Sequence, residues 1–170
     1  MIRPDISEKQ AKIVYLGIGS NLGERTKNIE NAKSRLLKNN IQILKSSSYY
    51  ESLSWPNSAF PKFYNIVLKT KTNLKELDLL DTCKNIEKSL GRIKSPKNAP
   101  RVCDIDIIDY NKITAKFNVN LPHPRMHKRA FVLIPLFEIE KRWKHPLTGQ
   151  DIKDLIFSLP NKDISSIKQI

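Results

Sequence analysis

Two acids stand one residue apart inside an apolar run, Asp104-Ile105-Asp106-Ile107-Ile108, directly after a segment that carries Arg92, Lys94, Lys97 and Arg101. Read as a β-strand, this run sends side chains two apart to one face. Asp104 and Asp106 then point the same way, with α-carbons roughly 6.5–7 Å apart. Paired carboxylates in apolar company are costly unless something neutralises them. One reading is a solvated strand face with a structural Asp104–Arg101 ion pair. The other is a hard metal ion, because Mg²⁺ is commonly held by one or two carboxylates together with phosphate oxygens. On that reading Asp104 and Asp106 hold one or two Mg²⁺ against a polyphosphate, and Arg92, Lys94, Lys97 and Arg101 meet the phosphate oxygens. Such residues are equipment for phosphoryl-type transfer.

The elements that must position these groups can be read in order. A strand over Ile13–Ser20 runs into a turn with Gly23, and a helix follows from Glu24 to Lys38, with Ile29, Ala32, Leu36 and Leu37 on its buried face. Gly17, Gly19 and Gly23 miss the dinucleotide spacing by one residue, so they read as a tight turn with close strand–helix packing. A second strand is predicted over Ile41–Glu51 and a third over Phe63–Thr70, the latter with Phe63, Asn65 and Val67 on one face. Asn65 must then find a partner for its amide, either backbone or the edge of a heterocycle. Between these strands, Ser52–Lys62 forms a loop with Trp55 and Phe60, aromatics that close over a flat ligand or cap the core.

Thr72 or Asn73 is predicted to cap a second helix that runs through Leu90, with Gly91 ending it and Glu87 one turn earlier. The acidic strand follows the cationic loop, and Tyr110–Val119 reads as a turn and a short strand. His123 and His127 are four apart, but Pro124 between them argues against a helical zinc pair. Phe131–Ile139 reads as a buried helix interrupted near Pro135, His145–Gly149 as a turn, and Asp151–Leu159 as a last short helix. Strand, helix, strand, strand, helix, strand is the order of a ferredoxin-like α+β domain, a mainly antiparallel sheet with helices packed on it.

Composition bounds the setting. A chain of 170 residues with 39% hydrophobic content makes one domain over 1–170, with a polar lead-in at 1–11 and a polar tail at 160–170. No apolar run is long enough to span a membrane and Met1–Asp5 lacks a signal-peptide core, so a cytoplasmic chain is expected. Cys83 and Cys103 read as buried small apolar residues. The net charge of +13 suits an anionic partner without naming it, and nucleic acid is the rival to a small phosphorylated ligand. An RNA-binding sheet would use aromatics on its face, where this chain places Asp104 and Asp106.

Four blocks in consistent order carry a family resemblance: Gly19-Ser20-Asn21-Leu22-Gly23, Phe63-Tyr64-Asn65, Pro100-Arg101-x-x-Asp104-Ile105-Asp106, and Pro122-His123-Pro124-Arg125-Met126 through Phe131. Together they resemble the 6-hydroxymethyl-7,8-dihydropterin pyrophosphokinase family of folate biosynthesis. The resemblance implies transfer of the β,γ-diphosphate of ATP to the hydroxymethyl group of a dihydropterin, releasing AMP. It implies Asp104 and Asp106 as ligands of two Mg²⁺ ions, with Arg92, Arg101 and these aspartates as the catalytic set. ATP would be met by Glu87, Arg92, Lys94, Lys97, Arg101, Ile107, His123 and Arg129, and the pterin by Ser52, Leu53, Trp55, Phe63, Asn65 and Phe131. A monomer with small-molecule partners and without nucleic acid or membrane follows. The chain departs from the family pattern at Lys94, where arginine is common, at Asn98, where an aromatic is frequent, and at Trp55, Phe63 and Pro124. Lysine neutralises phosphate but lacks the bidentate fork of arginine.

Overall fold

A computed structural model of the chain describes residues 10–55, 57–96, 98–116 and 119–170. Lys97 and nearly all of the lead-in expected at 1–11 lie outside the described residues. The elements are β1 (Lys12–Ser20), α1 (Arg25–Lys38), β2 (Gln42–Ser46), β3 (Tyr50–Ser52), β4 (Phe63–Thr72), α2 (Glu76–Ser89), β5 (Asp104–Tyr110), α3 (Ala130–Ile139), α4 (Ile152–Phe157), α5 (Asn161–Ser165) and β6 (Lys168–Gln169). The sheet runs β5-β1-β4-β3-β6, with β2 also on β4, and every neighbouring pair is antiparallel. This is the ferredoxin-like α+β arrangement: α1 leads from β1 past β4 to β2 and β3, and α2 leads from β4 past β1 to β5.

Strand alternation divides the core into two layers. Val14, Leu16 and Ile18 of β1, with Ile66, Leu68, Ile105 and Ile107, face the apolar sides of α1 (Ile29, Ala32, Leu36) and α2 (Leu79, Cys83, Ile86). Tyr15, Val67 and Ile108 face the other way, against Met126, Leu133, Leu136, Trp143 and Ile152. Each fully buried aliphatic chain contributes about 1.5–3 kcal/mol. The second layer meets the part of β1 that bears Tyr15; beyond it β1 carries only Gly17 and Gly19 on that face.

Several sequence expectations change; Leu37, expected on the buried face of α1, is 53% exposed. The second strand is divided into β2 and β3, because Ser47 steps out of the ladder: its N–H donates to the Val67 carbonyl at 2.9 Å, and its Oγ accepts the Val67 N–H at 2.9 Å. Glu138 of α3 holds the displaced segment, accepting from the Ser48 N–H and hydroxyl and from the Tyr50 hydroxyl. At the start of α2, Lys75 occupies the N-cap without a side-chain cap bond, while the Thr72 hydroxyl accepts the Leu74 N–H at 3.2 Å in the preceding turn. The helix α3 continues through Pro135. Burial of Leu133, Leu136 and Ile139 around it offsets a cost of about 3 kcal/mol for an interior proline. The expected polar tail is structured: α5 sets Ile164 and Ile167 against the second layer, and β6 pairs with β3.

Candidate active site

Strand register assembles the site. On β1, Gly19 lies opposite Asn65 of β4 on one side and Asp104 of β5 on the other, and Gly17 lies between Val67 and Asp106. Opposed residues of an antiparallel pair share a face, so Asn65, Gly19 and Asp104 form one cross-strand row, with Asp106 in the next. At about 4.8 Å per strand, Asn65 and Asp104 have α-carbons roughly 10 Å apart. A Cβ on Gly19 would come within 3.1 Å of Asn65 Oδ1 and 3.2 Å of Phe63 Cδ1. Gly17 and Gly19 therefore sit within the strand read over Ile13–Ser20, and their closeness to β4 and β5 is what requires them. Gly23, with φ +67°, makes the turn.

Each carboxylate has its own cations. Arg92 lies 2.7 Å and Arg101 3.3 Å from Asp104, while Arg129 lies 3.5 Å and His123 Nε2 3.8 Å from Asp106. The aim of Arg92 comes from the end of α2. Gly91 adopts φ +99°, its N–H reaches the Lys88 carbonyl at 3.0 Å, and the Arg92 N–H reaches the Glu87 carbonyl at 3.0 Å. That double bond pattern is a Schellman ending, which needs a residue tolerant of positive φ. It brings the Arg92 guanidinium onto the buried Glu87 carboxylate as well as onto Asp104. Glu87 also accepts the Ile105 N–H at 2.7 Å and so ties α2 to the acidic strand. Burial pushes the Glu87 carboxyl up, against the pull of that N–H and of Lys84 and Arg92. Burial opposes the charge on Arg92, but Asp104 and Glu87 outweigh it and hold the guanidinium protonated.

His123 is fixed by its neighbours: its N–H donates to the Ile108 carbonyl at 2.9 Å and its Nδ1 accepts the Arg125 N–H at 3.2 Å, leaving Nε2 toward Asp106. Burial lowers its pKa; Asp106 opposes this, and Arg129 and Arg125 add to it. Arg129 is the N-cap residue of α3, and its guanidinium lies 5.4 Å from the Phe131 ring centre. Beside His123, a pocket of about 410 Å³ is lined by Asn120, Leu121, His127, His145 and Gln150.

On the other side of Gly19, Asn65 is buried and its Nδ2 donates to Ser52 Oγ at 2.8 Å. Phe63 is half-buried opposite Ser52. Leu53 and Trp55, 45% and 65% exposed, stand on the loop that follows β3. The structure thus brings Glu87, Arg92, Arg101, Asp104, Asp106, His123 and Arg129 into one cluster, with Ser52, Phe63 and Asn65 along the same face and Phe131 joined through Arg129. It does not bring Ile107 there, because that side chain is buried in the core toward α1 and α2. Lys94 is exposed on its loop and pairs with no described carboxylate. Asn21, in the middle of the Gly19–Gly23 motif, is 2% exposed and bonds to both flanking loops.

The donor set suits Mg²⁺. Asp104 and Asp106 share a face, their side chains are 25% and 38% exposed, and no β1 side chain covers them. Among the described residues no group of three or more His, Cys, Asp or Glu forms a cage. An ion here would complete its shell with water or phosphate oxygens, as Mg²⁺ commonly does.

Comparison with known proteins identifies the family. Residues 15–141 match the model of the 7,8-dihydro-6-hydroxymethylpterin-pyrophosphokinase (HPPK) family. The chain is 42% identical over 150 residues to the folic acid synthesis protein FOL1 of Dictyostelium discoideum, covering 88% of this chain and 23% of that protein. It is 39% identical over 142 residues to the 2-amino-4-hydroxy-6-hydroxymethyldihydropteridine pyrophosphokinase of Aquifex aeolicus, covering 83% and 88%. The crystal structure of Plasmodium falciparum wild-type HPPK-DHPS shares the fold, with a TM-score of 0.71 at 15% identity over 95% of this chain and 48% of that one. The chain spans about a fifth to a quarter of the length of the Dictyostelium and Pneumocystis carinii folic acid synthesis proteins, 23% and 21%. With the family model matched over residues 15–141 of this chain, and the Aquifex relative 39% identical with 88% of its length covered, the chain belongs to the HPPK family.

Proposed function

We propose that this chain transfers the β,γ-diphosphate of ATP to the hydroxymethyl oxygen of 6-hydroxymethyl-7,8-dihydropterin, giving the pterin diphosphate and AMP within folate synthesis. The observation that carries the reading is the cross-strand row that sets Asn65 on the same face as Asp104, with Asp106 beside it and only glycine between. The names of the Aquifex and Synechocystis relatives support the same activity.

In this reading Asp104 and Asp106 hold one or two Mg²⁺, which when bound neutralise the phosphate oxygens and polarise the phosphorus under attack. Arg92 and Arg101 exchange Asp104 for phosphate oxygens, and Glu87 keeps Arg92 in place while that happens. Arg129 and His123 meet the phosphates from the Asp106 side, and the neighbouring pocket takes the nucleoside, within the size usual for such ligands. Asn65 reads the polar edge of the pterin ring. Phe63 and Phe131 pack on its faces, and Leu53 and Trp55 cover it from the adjoining loop. The protein chiefly positions the hydroxyl and neutralises charge. Shielding from water by the loops at 53–62 and 92–101 keeps the diphosphate from hydrolysis. Lys97 and Lys94 are assigned to the second loop as further phosphate cations. The chain acts on these small molecules as a monomer, without nucleic acid.

The test is nucleotide analysis after incubation with ATP and Mg²⁺, with and without the pterin. AMP formed only when pterin is present supports the reading. Production of ADP, or AMP formation indifferent to the pterin, contradicts it.

A further inference from the structure

Two loops flank the site, and one buried amide holds both. Asn21 follows β1 and is 2% exposed. Its Nδ2 donates to Ser54 Oγ and to the Pro61 carbonyl, each at 3.1 Å, and Ser54 Oγ itself donates to the Pro61 carbonyl at 2.6 Å. These bonds close the neck of the loop that carries Trp55 and Phe60. On its other side Asn21 Oδ1 accepts the Arg101 N–H at 2.8 Å, and the Asn21 N–H donates to the Arg101 carbonyl at 3.2 Å. Arg101 is the residue whose guanidinium faces Asp104. Both protons of the Asn21 amide nitrogen are thus spent on one loop, and its oxygen on the other.

An amide used this way cannot rotate for one loop without losing its bonds to the other. A buried amide left without its partners loses its solvation with nothing in exchange, so the two sets of bonds stand or fall together. We propose that Asn21 is a positioning residue that couples the two loops, so that order imposed on the loop at 53–62 by a flat heterocycle is passed to the Arg101 backbone facing the phosphates, and the reverse. The coupling of pterin to nucleotide rests on the function proposed above; the coupling of loop to loop does not.

Two measurements test it on the full chain with Asn21→Ala and Ser54→Ala. The first is pterin affinity with and without Mg²⁺ and a non-hydrolysable ATP analogue. In the unaltered protein the analogue should tighten pterin binding on the order of tenfold, within the usual range of coupling between sites. In both variants the ratio should fall toward one while the affinity for the analogue alone changes less than about twofold. A ratio of one in the unaltered protein, or an unchanged ratio in the variants, overturns the proposal. The second is amide hydrogen exchange at Arg101 without ligands. Among the described residues the hydrogen-bond path from Ser54 to Arg101 runs through Asn21, so Ser54→Ala should speed exchange at Arg101 several-fold; unchanged exchange overturns the coupling, even if the chain binds no pterin. Ser54→Ala also keeps the test open if Asn21→Ala does not fold.

Discussion

Asp104 lies between two guanidinium groups, and Asp106 faces a guanidinium and an imidazole, so each carboxylate has its own set of partners. Asp104→Asn keeps the shape and removes the charge. It should lower pterin-dependent AMP formation on the order of 10³-fold, the scale of losing one preorganised electrostatic contact, with little change in melting temperature because Glu87 still holds Arg92. A turnover within threefold of the unaltered protein would remove Asp104 from the mechanism. A second residue bears on stability. His145 is buried, its Nδ1 accepts the Leu147 and Thr148 N–H groups, and burial, with His127, holds its pKa below the usual 6.5. Such a histidine binds its proton more readily when unfolded, so its contribution is fully present above about pH 6.5 and is lost as the pH falls through the lower folded value. Melting curves from pH 7.5 to 5.5 should fall less steeply for His145→Asn than for the unaltered chain; equal slopes would discard this. At this scale the sequence was most readable. Alternate acids and a cationic lead-in announce their chemistry by type and spacing. Asn21 did not, because its importance lies in partners 33 and 80 residues away.

At the scale of elements, glycine does the shaping at two points. Gly19 gives Asn65 and Phe63 their room, so Gly19→Ala should displace both and raise the KM for pterin about tenfold while the KM for ATP changes little. Equal effects on both substrates would point to a general loss of strand geometry instead. Gly91 ends α2 at φ +99°, a conformation costly to residues with a Cβ. Gly91→Ala should cost about 1–3 kcal/mol of stability and lower kcat by misaiming Arg92, checked by denaturant unfolding and steady-state rates. Unaltered stability and kcat would contradict the role given to this ending. Alternation and apolar spacing made α1, β1, β4 and β5 legible within a few residues. The break between β2 and β3 was hidden because it depends on Glu138, 90 residues from Ser48. The role of the strand glycines was hidden because it is cross-strand. Likewise Pro135 signals a helix end locally, and the core around α3 overrides it.

Across the whole molecule, one sheet face supplies both halves of the site, and the helices on its two sides fix the strand register that aligns them. The ferredoxin-like order was readable from the succession of elements alone. The polar composition of 160–170 concealed Ile164 and Ile167, whose burial exists only once α3 and α4 have packed. Among the described residues no helix is long and apolar enough to cross a membrane. The net charge of +13 favours the approach of an anionic substrate. The direct measurement is the fate of the β-phosphorus. With ATP labelled at that position, Mg²⁺ and 6-hydroxymethyl-7,8-dihydropterin, the label should appear on the pterin in amounts equal to the AMP released. Label that stays in ADP, or is freed as inorganic phosphate or diphosphate without reaching the pterin, would contradict it.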